Sequence, residues 1–229
     1  MSIDLYWGSG STPAWRVLLG LQAKGLAWNS HLLSFSQRET RTPAFLALNP
    51  RGKVPTLVDD GLVINESLAI LAYLDRKYTQ NPLFGTTPEE TGNIWRMALE
   101  FESHGSPTWS AVTRPILFGT LAQDEAKVRE GIPALHEELA LLERRVASGY
   151  LVGASVSAAD IVWYCGLQVL VRAATRPVAA DLDLSVWPLA GRYPGLLPWA
   201  GHVEAITGFE STIPPHWLEG ASPSPRRLV

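Results

Sequence analysis

One cysteine, Cys165, stands among 229 residues. A single thiol cannot form an intrachain disulfide, and it cannot build a cluster of thiolates around a metal. No run of 18 apolar residues occurs, which argues against a membrane-spanning helix. Neither sign of charge dominates: 19 Lys and Arg stand against 22 Asp and Glu, for a net charge of −3. Nucleic acid and anionic membrane surfaces are therefore not expected partners. The N-terminal residues lack a basic segment followed by an apolar run, so no secretory signal is read there and the cytoplasm is the expected location. Five histidines (His31, His104, His136, His202, His216) are scattered without metal-ligand spacing, and no metal site is expected. Gly8-Ser9-Gly10 has neither the further glycine nor the lysine of a phosphate loop.

What is present is a globular composition, 46% hydrophobic and 18% charged, able to bury a sizeable core. The most structured message lies between Asn49 and Ser67. Asn49-Pro50 and Arg51-Gly52 are breakers. Thr56–Val58 and Leu62–Ile64 read as strands joined by an Asp60-Gly61 hairpin turn. Glu66-Ser67 then opens a helix whose apolar residues, Leu68, Ile70, Leu71 and Leu74, recur at helical spacing. Pro55 is out of place in this pattern, because proline donates no ladder hydrogen bond. A cis Val54–Pro55 bond would turn the Val54 backbone outward, although only about 5–6% of X-Pro bonds are cis.

Ahead of this stretch, Ile3–Trp7 reads as a strand and Gly8–Ser11 as a loop. Thr12-Pro13 reads as a helix start, with threonine as N-cap and proline in the first turn. Trp28–Leu33 reads as a second strand, and Thr42-Pro43 starts a short helix running to Leu48. Residues 1–80 thus form a βαβα-ββα pattern, an α/β sandwich of thioredoxin-like type. Residues 81–87 read as a linker.

Beyond the linker strand signals fade. Long helices are expected from Pro88 to about Phe118, from Gln123 to Val146, from Ser157 to Arg172 and from Pro194 to Ile206. Ser157-Ala158-Ala159-Asp160 is a capping-box variant, and the nearly all-apolar helix after it should be buried. Residues 88–220 form an all-helical domain. The proline-rich tail, 221–229, is expected to be disordered. The fold class is α/β plus all-α.

Gly52-Lys53-Val54-Pro55-x-Leu57, the hairpin, and Glu66-Ser67 at a helix start resemble the glutathione-binding half of the soluble glutathione transferases. Gly153 ahead of Ser157-Ala158-Ala159-Asp160 resembles the helix-start motif of that family's C-terminal domain, so the likeness spans roughly residues 3–210. Leu5–Ser11, Trp15-Arg16, Leu33-Ser34-Phe35 and Leu48-Asn49-Pro50-Arg51 look most like the rho class. The Ser-x-x-x-Trp-Arg-Val spacing also resembles the zeta class. The resemblance implies the glutathione transferase fold, glutathione as co-substrate, and a homodimer.

It also implies roles. A cis proline, Pro55, lets Val54 present its backbone to the cysteine part of glutathione. Lys53 pairs with the glycine carboxylate. Ser67 and the helix N–H groups receive the γ-glutamyl carboxylate, and Glu66 faces the ligand ammonium. Arg16 supports the active-site loop. The electrophile pocket is not carried over residue by residue; its walls are expected from the Gly8–Ser11 loop, from Trp109, Thr113 and Phe118 of the first long helix of the second domain, and from Trp217.

Only the thiolate of glutathione attacks, and its free pKa is about 8.5. Lowering it by about two units takes roughly 2.7 kcal/mol of differential stabilisation, which a hydroxyl donor and a helix N-terminus can together supply. Four hydroxyls lie between the first strand and first helix: Tyr6, Ser9, Ser11 and Thr12. Ser11 falls where serine-type transferases carry the activating hydroxyl, with Ser9 the runner-up. Thr12 is expected to be used as the N-cap. Tyr6 stands one residue late for a tyrosine-type enzyme, which puts it on the wrong strand face. With proline at position 13 and no cysteine near, cysteine-type redox members are disfavoured.

The expected function is conjugation of glutathione to hydrophobic electrophiles, a detoxification activity. The alternatives are a glutathione-dependent isomerase or peroxidase of the same fold, and a non-catalytic binder of apolar ligands. An interaction module of the same fold is disfavoured by the intact Lys53-Val54-Pro55 and Glu66-Ser67.

Overall fold

The computed structural model describes residues 2–218 and 227–228. They form two compact units. The first runs up to Phe84 and takes in a C-terminal stretch from Ile206; the second begins at Gly85 and runs to Ala205. The expected 221–229 tail falls mostly outside the described residues. Of its members, Leu228 donates its N–H to Glu204 Oε1, and Arg227 donates to the Glu204 carbonyl at 3.1 Å.

The first unit holds four strands, β1 (Ile3–Trp7), β2 (Asn29–Leu32), β3 (Thr56–Asp59) and β4 (Leu62–Asn65), in the order β2-β1-β3-β4. β1 pairs parallel with β2 and antiparallel with β3; β3 and β4 form the antiparallel hairpin expected at Asp60-Gly61. On β1 the alternate residues Ile3, Leu5 and Trp7 are buried. Helix α1 (Thr12–Ala23) packs against α3 (Ser67–Lys77). The two approach closely at Gly20, where a Cβ would lie 2.2 Å from Leu71 Cδ2. The short α2 (Pro43–Leu48) starts at an N-cap threonine, Thr42, whose hydroxyl accepts from Phe45 N.

A buried ion pair closes the unit. Lys24 Nζ reaches Asp75 Oδ1 at 3.0 Å and the carbonyl oxygens of Gln80 and Asn81. The Asp75 carboxylate also accepts from the N–H groups of Leu83 and Phe84. Both buried charges are therefore paired and hydrogen-bonded, the condition under which such charges are tolerated.

The second unit is helical: α4 (Pro88–Glu100), α5 (Ser106–Leu117), α6 (Leu121–Arg145), α7 (Ala158–Ala174), α8 (Leu189–Arg192) and α9 (Leu196–Glu204). The helix expected over 88–118 is interrupted by a π-helical turn, Phe101–Gly105. Pro107, two residues into α5, has no N–H to continue an α-helical ladder, and the wider turn absorbs the break. Phe101, Trp109 and Trp163 pack edge to face with centroids 5.0–5.7 Å apart.

The capping box at the start of α7 is formed as expected. Asp160 Oδ2 accepts from the Ser157 N–H at 2.8 Å and from its hydroxyl at 2.6 Å, while Oδ1 accepts from Leu151 N and Trp199 Nε1, each at 2.9 Å. α7 is buried over nearly its whole length, and Cys165 sits in it as a fully buried small residue. Among the described residues, no helix is long and apolar enough to cross a membrane.

Candidate active site

Three short segments of the first unit carry the expected site. In the β1–α1 connection, Ser11 N donates to Gly8 O at 3.0 Å, and Gly10 takes φ +85°. Gly8–Ser11 is thus a tight turn that needs a glycine at its third position. Ser11, not Thr12, is the N-cap of α1: its hydroxyl accepts from Ala14 N at 3.3 Å, and Thr12 and Pro13 fill the first turn. The expectation for Thr12 was one residue late: Ser11 is the better cap, and it leaves Pro13 in the second helical position instead of the first. Ser11 therefore lies at the positive end of α1, the place where an anionic sulfur gains most from the helix dipole.

Tyr6 is committed elsewhere. Its ring stacks on His31 with centroids 4.4 Å apart and tilts against Phe45 at 6.0 Å. It alternates with the buried Leu5 and Trp7, on the other face of β1.

The second segment is the loop before β3. The Val54–Pro55 bond is cis. Its neighbour Lys53 is exposed, but the Lys53 carbonyl is pinned from below by Asn49 Nδ2 at 2.7 Å and Thr56 Oγ1 at 3.3 Å. Asn49 and Thr56 are both buried, and Thr56 Oγ1 lies nearer still to Asn65 Oδ1, at 2.9 Å, so its one hydroxyl proton is shared between the two acceptors. This polar network ties the Lys53–Pro55 loop to Asn65, the residue before Glu66.

The third segment is the head of α3. Glu66 is its N-cap residue, with φ +69° and ψ +119°, and no side chain caps the helix. A glutamate held at positive φ costs on the order of 1–3 kcal/mol, and such strain gathers at functional positions. The Glu66 carboxylate is exposed and Ser67 is buried. Arg16 of α1, itself only 4% exposed, reaches Ser67 Oγ with Nη1 at 3.5 Å. A cation lies beneath an uncapped helix N-terminus. Both the buried cation and the uncapped N-terminus are features that favour a negative group.

The residues Lys53, Val54, Pro55, Glu66 and Ser67 are thus joined through Asn49, Thr56 and Asn65 and by the turn into α3. Residues 10–77 match the model of the glutathione S-transferase N-terminal domain, and residues 125–202 that of its C-terminal domain. Glutathione S-transferase A of Pleuronectes platessa is 28% identical over 95% of this chain and 93% of its own length. A probable maleylacetoacetate isomerase of Vibrio cholerae is 30% identical over 93% and 96%. The crystal structure of a glutathione S-transferase from the Antarctic clam Laternula elliptica superposes with a TM-score of 0.81, at 29% identity over 98% of this chain and 97% of that one.

The chain belongs to the glutathione S-transferase family. It is a transferase that uses glutathione as co-substrate, on a thioredoxin-like domain followed by a helical one.

The expected electrophile residues of this transferase stand in different settings. Trp109 and Thr113 are buried on α5, Trp109 within the Phe101–Trp163 cluster. Its indole N–H has no hydrogen-bond partner among the described residues. Phe118, after α5, is 72% exposed, with the Arg114 guanidinium 5.3 Å from its ring centre. It lines a cavity of about 420 Å³ with Ala111, Arg114, Pro115 and Lys127. Trp217 belongs to the first unit and packs edge-on against Trp15, centroids 5.1 Å apart.

Two residues beside the Gly8–Ser11 turn were not anticipated from the sequence. Phe35, half exposed, covers Gly8, where a Cβ would meet its ring at 2.3 Å. His216 reaches Ser9 Oγ with Nδ1 at 2.6 Å. Phe35 could have been suspected as an aromatic in a polar loop. His216 had no local signal, since it lies 207 residues from its partner.

Proposed function

We propose that this transferase conjugates glutathione to hydrophobic electrophiles in the cytoplasm, with Ser11 donating a hydrogen bond to the attacking thiolate. The observation that carries the reading is the head of α3: an uncapped helix N-terminus, strained at Glu66, with Ser67 in its first turn and Arg16 buried beside it. The γ-glutamyl carboxylate would bind Ser67 Oγ and the free N–H groups of this turn. The ligand ammonium would meet Glu66, the glycine carboxylate Lys53, and the cysteine backbone Val54. The thiol then lies towards the N-terminus of α1, where Ser11 and the helix dipole favour its ionised form. The thiol proton passes to solvent. The thiolate attacks an electrophilic carbon, and as the C–S bond forms the bond from that carbon to its leaving group breaks, the group departing with its electron pair (as halide from an aryl halide).

Trp109, Thr113 and Phe118 of the second unit and, taken separately, Phe35 and Trp217 of the first are the candidates for contacting the electrophile. The unpartnered Trp109 indole N–H supports a polar atom on that substrate. A rho-like class is part of the proposal, on the motifs Leu5–Ser11, Trp15-Arg16 and Leu33-Ser34-Phe35. A second reading, isomerisation of a maleyl substrate, is favoured by the Vibrio cholerae relative. Turnover of maleyl compounds against conjugation of aryl halides separates the two. A homodimer is part of the proposal, with the first unit of one copy against the second of its partner; light scattering during gel filtration should give twice the 25.0 kDa chain mass.

The test is the ultraviolet difference spectrum of bound glutathione against pH, for wild type, Ser11→Ala and Ser9→Ala. The wild-type thiol pKa should lie about two units below 8.5 and return towards it most strongly in Ser11→Ala. Binding with an unshifted thiol would replace the transferase mechanism with simple glutathione binding.

A further inference from the structure

Ser9 Oγ lies 2.6 Å from Nδ1 of His216 and 3.4 Å from the backbone N of the same residue. Both residues belong to the first unit. The site of this pairing is shaped for it. A Cβ on Gly10 would lie 2.6 Å from His216 Cε1, so the imidazole fills the room that a glycine at φ +85° leaves. The turn that carries His216, Pro215–Trp217, is anchored on α1. Trp15 Nε1 donates to Thr212 Oγ1 at 2.9 Å in the core, Gln22 donates to Ser211 Oγ at 2.9 Å, and Trp217 packs on Trp15. Ser9 and Ser11 share one tight turn, closed by the bond from Ser11 N to Gly8 O.

A hydroxyl has one proton and two lone pairs. We infer, resting on the thiolate reading above, that His216 is a positioning residue of the thiol site: its Nδ1–H and backbone N–H donate to Ser9 Oγ and turn the Ser9 proton outward, as a second donor to the glutathione thiolate beside that of Ser11. No proton is transferred in this arrangement. The imidazole fixes the direction in which the serine donates, and the chain of hydrogen bonds polarises the outer O–H. The Ser9 hydroxyl is half-buried within this contact, whereas the Ser11 oxygen is already an acceptor for Ala14 N.

The test is the pKa of the bound glutathione thiol in wild type, His216→Ala and His216→Asn, each also in a Ser9→Ala background. The affinity of S-methylglutathione, which has no ionisable thiol, is measured alongside. His216→Ala should raise the thiol pKa by about half to one unit, a three- to tenfold loss of thiolate at fixed pH. His216→Asn keeps an N–H donor at this place and should recover part of that shift. S-methylglutathione should bind within about twofold of wild type in both variants, and in the Ser9→Ala background His216→Ala should add nothing.

A depressed wild-type pKa left unchanged by His216→Ala overturns the inference while the Ser11 mechanism stands. So does a shift that persists in Ser9→Ala, or one accompanied by an equal loss of S-methylglutathione affinity in both His216 variants, which would make the ring a purely structural prop. A wild-type thiol with the pKa of free glutathione removes the thiolate mechanism itself, and this inference with it.

Discussion

Ser67 stands between a buried guanidinium and an open helix end, so its hydroxyl is held as an acceptor for Arg16 and keeps its proton for a ligand. Ser67→Ala removes that donor and leaves the helix intact. A hydrogen bond to a charged group contributes about 1.5–3 kcal/mol, so glutathione should bind roughly ten- to a hundredfold more weakly. Thiolate formation at saturating glutathione should be nearly unchanged, because the proposed mode puts the thiol at a different helix terminus. Titration of tryptophan fluorescence would measure the first, and the ultraviolet difference spectrum at saturating glutathione the second. Equal binding by Ser67→Ala would remove the carboxylate from this site. At the same scale, Glu66 shows what residue patterns withhold. Asp60-Gly61 announces its own turn, but nothing in Asn65-Glu66-Ser67 demands positive φ at glutamate; that conformation is imposed by the corner between β4 and α3.

Helix α7 depends on its first turn more than on any local propensity. Asp160 accepts four hydrogen bonds in a site with no solvent exposure. Asp160→Ala leaves the Leu151 and Trp199 donors unpaired and the cap empty, and should destabilise the protein by about 3 kcal/mol or more. Denaturant melting would show it, while the fraction that remains folded should still depress the thiol pKa of bound glutathione. α6 and α8 carry a pH-dependent link. His136 Nε2 receives the Arg192 guanidinium at 3.1 Å and its Nδ1 lies 2.6 Å from Tyr193 Oη. Burial, and then the Arg192 charge, hold its pKa below the ordinary 6.5. The unfolded chain therefore takes up the proton first as pH falls. The contribution to stability is complete above pH 6.5 and is lost as pH drops through the folded value. Urea midpoints at pH 7.5 and 5.5 should differ more in wild type than in His136→Asn. Elements were legible where their signals are local. The α7 capping box and the β3–β4 hairpin follow from adjacent residues. The α1 cap slipped by one residue because Ser11 and Thr12 both carry a capping hydroxyl, of which serine's is the better. The π turn at 101–105 answers to Pro107 together with the packing of Phe101 and Gly105, where a Cβ would lie 2.9 Å from Phe101 Cδ2; only the first of these is visible in one dimension.

On the scale of the whole molecule, the glutathione half could be read from residues 1–80 because its strands, turns and polar network are contiguous. The return of the chain from Ile206 to the first unit could not, since Thr212 and Trp15 are 197 positions apart. A chain stopped after Ala205 retains both family-matching regions but loses Thr212, His216 and Trp217. It should remove the Thr212 acceptor of the Trp15 indole N–H, shift tryptophan emission to the red, bind more of an apolar dye than the full chain, and show a bound-glutathione thiol pKa nearer the free value. Order of synthesis gives this topology a further meaning. The strands, α1 and the glutathione-binding loop leave the ribosome early, but the stretch that closes over Trp15 follows by 197 residues, on the order of ten seconds or more at ordinary elongation rates. Throughout that interval the nascent first unit lacks Thr212, His216 and Trp217, so the contacts they make with Trp15 and Ser9 are among the last of the first unit to form.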